Sequence, residues 1–150
     1  MLRLVQRKSK MRCLGIDYGR RRIGLALSDP TLLIASPLMI IENRGIKKNL
    51  TRILDIMQKN DVGQVVVGLP LHANGDESEM SREARNFGAA FTLLGYPVEF
   101  VDERYTSFEA ELIIGNNPQS KKLIDKVAAS IILQIYLDER RKSLNEGKNH

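Results

Sequence analysis

The run Val65-Val66-Val67, inside the segment Val62–Leu69, carries apolar side chains on both sides of an extended chain. A strand of that kind must be covered above and below, which demands layers of helix on either side of a sheet. The neighbouring segments supply them. Ile46, Leu50, Ile53, Leu54 and Met57 recur at helical spacing and predict a helix over Ile46–Asn60. A second helix is predicted from about Ser81 to Leu94, ended by Gly95 with Pro97 just beyond. Val98–Val101 then returns as a strand, so the centre of the chain reads as a parallel crossover and the fold class as α/β.

Three strands are predicted ahead of this unit, over Arg12–Asp17, Ile23–Ser28 and Pro37–Glu42, with connections short enough for an antiparallel meander. After Val101, the sequence Thr106-Ser107-Phe108-Glu109 reads as a capping box opening a short helix that stops near Gly115-Asn116-Asn117-Pro118. A last helix is predicted over Lys121–Lys142. The order β-β-β-α-β-α-β-α-α gives a five-stranded mixed sheet with helices on both faces. Right-handed crossovers should bring the fourth and fifth strands beside the first. Asp17 and the end of the fifth strand would then share one edge. Residues 1–10 are expected to be a basic, flexible tail, with Met11 a candidate functional start where the first strand begins, 11–142 the domain, and 143–150 a frayed polar tail.

Composition narrows the function classes. No apolar run approaches the roughly 20 residues of a spanning helix, and residues 1–10 are too polar for a signal peptide; a cytoplasmic protein without membrane attachment is expected. The single Cys13 excludes an internal disulfide and sits in an apolar run, as a small buried hydrophobe would. The net charge of +5 points to nucleic acid less strongly than it first suggests. Arg3, Arg7, Lys8 and Lys10 belong to the tail, and without them 19 basic residues face 18 acidic ones. Local clusters say more: Arg20-Arg21-Arg22, Lys47-Lys48 with Arg52, and Lys121-Lys122 with Lys126. For the two lysine groups a solvated surface is the ordinary reading.

Among single residues, Asp17 stands at the tip of the first strand, before a turn rich in glycine and arginine. It reads either as a ligand near a phosphate site or as a turn cap. Arginine forks suit phosphate oxygens. Glu103 follows the fifth strand beside Asp102 and Arg104; adjacent acids project to opposite sides, so only one of the two should serve a given site. Asp125 interrupts an apolar helical face, with the small residues Ala128 and Ala129 three and four positions on. Small residues let that helix sit close to another element, although an acid in a first helical turn is also favoured by the helix dipole. His72 has no cysteine or histidine partner for zinc. Gly68 and Gly75 read as turn glycines.

Taken together, these blocks resemble the YqgF/RuvX family. The resemblance rests on Gly15-Ile16-Asp17-Tyr18-Gly19 with Arg21-Arg22-Ile23-Gly24, on Val67-Gly68-Leu69-Pro70-Leu71 with Asn74-Gly75, on Asp102-Glu103-Arg104 with Thr106, and on Asp125-Lys126-Val127-Ala128-Ala129 through Leu137-Asp138. It implies an RNase H-like fold and a nuclease, described in the family both as a Holliday junction resolvase and as a pre-16S rRNA nuclease acting at the 5′ end. It implies that Asp17, Glu103 and Asp125 form the acidic site. Better-known resolvases of this fold carry an acid after the fourth strand; here that strand ends in Gly68-Leu69-Pro70, so the second carboxylate must come from Glu103.

The expected chemistry is metal-dependent phosphodiester hydrolysis. Carboxylate oxygens select Mg²⁺ or Mn²⁺, with two ions expected. Asp17 would bridge, Glu103 and Asp125 would complete the ligand set, and Arg21, Arg22, Arg104 and Thr106 would bind substrate. The expected partners are structured RNA, with pre-ribosomal particles or branched DNA as further possibilities, and the expected state is a monomer or weak homodimer, since no exposed apolar dimer stripe stands out. Two other classes compete. Asp17-x-Gly19 before a hairpin also resembles the first phosphate loop of actin-like sugar kinases, but those need a duplicated domain that 150 residues cannot hold. A non-catalytic nucleic-acid-binding module would use the same arginines without turnover.

Overall fold

The structure, a computed structural model, describes residues 11–104 and 118–148, the last stretch with side chains at 119 and 126–147. Five strands form one sheet: β1 (Arg12–Tyr18), β2 (Arg22–Ser28), β3 (Ala35–Glu42), β4 (Val62–Leu69) and β5 (Val98–Asp102). Their spatial order is β3-β2-β1-β4-β5. The meander β1-β2-β3 is antiparallel, while β4 pairs parallel to β1 and β5 parallel to β4. The C-terminal ends of β1, β4 and β5 therefore meet at one edge, where open α/β sheets bind ligands.

Two helices, α1 (Ile46–Lys59) and α2 (Glu79–Leu93), cover one face of the sheet; the long α3 (Pro118–Lys148) crosses the other. Alternation along the strands sorts the core into two layers. Leu14, Ile16, Val65, Val67 and Leu69 pack with Ile53, Met57, Phe87 and Phe91. Cys13, Ala26, Val66 and Val101 pack with Ala129, Ile132, Leu133 and Leu137 on the α3 side. The valine run is buried on both faces, as its composition requires. Burial also pushes the Cys13 thiol up to about 11, which leaves it an inert core group.

Several boundaries differ from those predicted. Helix α2 starts at Glu79, two residues early, because Ser78 and Ser81 cap each other: the Ser78 hydroxyl accepts from the Ser81 amide at 2.9 Å, and the Ser81 hydroxyl accepts from the Ser78 amide at 2.7 Å. A serine replaces the usual Glu or Gln of the box, which hid the start. Helix α3 opens on Pro118, at the first helical position that proline favours. It also continues to Lys148, past the predicted limit at Lys142, even through Ser143, Asn145 and Gly147, with an Arg141–Asp138 ion pair of 3.0 Å on the turn before them. The predicted short helix after Thr106 lies outside the described residues. Among the described residues no helix is long and apolar enough to cross a membrane.

Candidate active site

Gly15 and Asp17 alternate onto the α3 face of β1. A side chain at Gly15 would stand 2.7 Å from Leu133 Cβ and 2.9 Å from the Ala129 carbonyl oxygen. That close approach is what the small residues of α3 permit, and it draws the helix down onto β1 two residues before Asp17. Asp17 itself is half-buried and pairs across the sheet with Gly24 of β2. On the other side, Ile16 pairs with Val67 of β4, so the next step of the ladder sets Asp17 beside Gly68.

Gly68 is not a turn glycine, contrary to the sequence reading. It lies inside β4, buried, and the space its missing side chain leaves is filled by the carboxylate of Glu103. A Cβ at Gly68 would stand 2.3 Å from Glu103 Oε2 and 2.5 Å from Ile132 Cδ1. The backbone of Glu103 is fixed there by its amide, which donates to the Leu69 carbonyl at 3.1 Å. Thus the strand that lacks an acid provides the recess for one delivered by its neighbour. Burial first, then repulsion from Asp17 and from Asp102, push the Glu103 carboxyl up to about 8. Two acids are being held together against their charge.

Asp102 takes no part in this pairing. Its carboxylate accepts from the Arg104 amide at 3.0 Å and from Arg104 Nε at 2.7 Å, and the guanidinium holds it below the usual carboxylate range. Arg104 also donates from Nη1 to the Ala73 carbonyl at 3.1 Å. The loop it reaches is itself closed by an Asn74 side chain accepting from the Asp76 amide and by Gly75 at φ 93°. Gly75 is therefore the turn glycine expected. His72 contributes backbone bonds to the same loop.

The turn between β1 and β2 walls the other side. Asp17, Gly19, Arg20, Arg21, Arg22, Gly24 and Ile40 line an open groove of ≈ 340 Å³. Asn43, just past β3, pins the turn: its amide donates to the Arg21 carbonyl and its side chain to the Gly19 carbonyl, both at 2.8 Å. Arg20 bridges to Glu83 and Glu79 of α2 at 3.0 and 3.2 Å, whereas Arg21 and Arg22 are exposed at the groove. An acid on the floor and guanidinium groups on the rim suit a phosphodiester approached by a cation.

The comparisons with known proteins bear on what such a groove does. A family description reading "RuvX: Holliday junction resolvase" matches residues 11–139. The chain belongs to the RuvX family. A relative from Endomicrobium trichonymphae, named "Putative pre-16S rRNA nuclease", is 41% identical over 133 residues, covering 85% of this chain and 95% of its own. One of the same name from Anaeromyxobacter sp. is 42% identical over 135 residues, covering 87% and 98%. The structure of Thermus thermophilus RuvC superposes with a TM-score of 0.54 at 16% identity, covering 88% of this chain and 97% of that one, which carries the fold alone. The RNase H-like fold expected from the sequence is thereby borne out, and RuvX is a nuclease family.

Within the RuvX framework the structure brings Asp17 and Glu103 together. The backbone of Asp125 lies in α3, one helical turn before Ala129, the residue whose carbonyl oxygen stands against Gly15; its side chain lies outside the described residues, as does all of Thr106. Among the described residues no group of three or more His, Cys, Asp or Glu side chains could hold a metal. Sequence reasoning missed Gly68 as the recess, Asn43 as the clamp on the arginine turn, and Ile40 in the groove. Gly68 carried a legible signal, a glycine in place of the acid that related resolvases bear. Asn43 and Ile40 carried none, because both act only through pairing of β3 with β2.

Proposed function

We propose that the chain is a metal-dependent endonuclease that cleaves phosphodiesters of structured RNA, with the 5′ end of pre-16S rRNA as its substrate. The reading is carried by one observation, the Glu103 carboxylate lodged over Gly68 and repelled by Asp17, which itself lines the arginine-rimmed groove. Two clustered carboxylates that repel each other, with a third acid carried one turn from the Gly15 contact, form an all-oxygen donor set of the kind that hard divalent cations take. Asp17, Glu103 and Asp125 would hold Mg²⁺ or Mn²⁺, probed most simply as two ions. Bound there, the metal would supply charge stabilisation to the phosphoryl oxygens and lower the pKa of an attacking water.

The chain's own residues do the remaining work. Arg21 and Arg22 orient the phosphate from the rim, while Arg104, tied to Asp102 and to the Ala73 carbonyl, steadies the segment that presents Glu103. The Asn43 clamp keeps the arginine turn from retreating, so the phosphate meets a preorganised site. The names of the relatives favour ribosomal RNA, and the arginines along the groove accord with a nucleic-acid partner. Branched DNA is the second reading, favoured by the family description.

Asp17→Asn tests the assignment. It preserves shape and removes a charge, so cleavage should fall by at least a hundredfold while thermal unfolding stays within a few degrees of wild type. Purified protein is incubated with precursor rRNA and with four-way DNA junctions, with and without Mn²⁺. Full Mn²⁺-dependent turnover by Asp17→Asn on either substrate would overturn the site, and cleavage of the junction alone would move the function to DNA.

A further inference from the structure

Gly24 pairs with Asp17 on one side and with Ile40 of β3 on the other. Residues in such a row share a face of the sheet, so Asp17 and Ile40 flank a bare strip. Two strand spacings, roughly 10 Å, separate their backbones. The arginine-lined groove ends at Ile40, and a second groove of ≈ 280 Å³ begins there, lined by Pro37, Leu38, Met39, Ile40 and Lys126. Ile40 is common to both linings: carboxylate and guanidinium groups lie on one side of it, and the ammonium group of Lys126 on α3 lines the groove on the other. Ile40 is 38% exposed, and Pro37, exposed and opposite Ala26 of the α3-side core, shares its face across a bulge at Leu38.

An alternation of cationic, apolar and cationic surface fits one kind of polymer, a nucleic-acid strand with an exposed base face between two phosphates. A base stacked within a duplex cannot offer its face to a protein shelf; an unpaired one can. Building on the nuclease reading above, we propose that the shelf made by Pro37 and Ile40 receives an unstacked nucleobase flanking the scissile phosphate, with Lys126 meeting the next phosphate. The substrate class is thereby narrowed to strands with an unpaired nucleotide at that step. The shelf's side chains offer the base no hydrogen-bonding group, so the preference is for an unpaired base of any identity.

The test is binding without turnover, by fluorescence anisotropy in EDTA, with a labelled 12-nucleotide single-stranded RNA and the same sequence as a blunt duplex. Ile40→Ser should weaken binding of the single strand about tenfold and leave the duplex unchanged. Ile40→Met should retain wild-type binding. Lys126→Ala should reduce the salt slope on the single strand by about 0.7, one phosphate's worth. Equal loss on both probes, or no loss on the single strand, overturns the proposal. So does a shift from dimer to monomer by sedimentation in Ile40→Ser, which would assign the edge strand to a second copy of the chain. Because no cleavage is measured, failure here is distinct from failure of the Asp17→Asn test.

Discussion

Replacing Gly68 by alanine is the sharpest probe of how Glu103 is held. The added Cβ would lie 2.3 Å from Glu103 Oε2 and 2.5 Å from Ile132 Cδ1. An ordinary non-bonded contact is about 3.5 Å, so each neighbour must retreat by roughly 1 Å. Ile132 is fully buried in the α3 layer and has little room to move. Overpacking of this kind costs about 1–3 kcal/mol, read as a lower urea midpoint at unchanged slope. The retreat of the carboxylate has the larger consequence, because a misplacement of about 1 Å at a catalytic group lowers turnover by about 100-fold. The assay is steady-state cleavage of a fluorescent RNA with Mn²⁺, alongside urea melts. Repeating the substitution in a Glu103→Ala background should shrink the effect on stability, since one of the two obstructed neighbours is gone. A Gly68→Ala protein with wild-type turnover and a wild-type urea midpoint would refute the recess altogether.

Two further outcomes follow from the structure. In metal-free protein, Glu103 has its folded pKa raised from 4.5 to about 8. Between those values the folded state holds more protons than the unfolded one, so stability should fall as pH rises through that window. Glu103→Gln should flatten the dependence in urea melts at pH 5 to 8, and an unchanged slope in that variant would remove the explanation. Ser28→Ala deletes a buried hydroxyl that accepts from the Cys13 amide at 2.8 Å. Leaving that amide unpaired in the core should cost about 1–3 kcal/mol by thermal or urea unfolding, and a loss well under 0.5 kcal/mol would mean the amide finds another acceptor.

The sheet was legible because its signals are local. The uninterrupted Val65–Val67 run identified a strand covered on both faces, and the strands on either side of it followed from apolar segments bounded by turn residues. The convergence of Asp17 and Glu103 was legible one level up, from crossover handedness and from the family motifs. What escaped depends on partners distant in sequence. The Gly68 recess needs the alternation of β4 and the end of β5 together. The Arg104 brace escaped as well, since its guanidinium reaches Ala73, 31 residues earlier, through a loop whose path no periodicity reports. Lys126 reads as solvated surface until α3 is seen to cross the sheet beside β3.

Asp102, Glu103 and Arg104 are consecutive, yet only the middle one turns to Gly68 and Asp17. Its neighbours are tied to each other and to the loop at Ala73, so the chain cannot rotate about this segment to carry Glu103 away without breaking an ion pair outside the groove. The aim of the acid is therefore governed by a knot on the far side of the strand. A screen scored on activity alone would flag Asp102 and Arg104 together with Glu103, and would draw the boundary of the chemistry one residue too wide on each side.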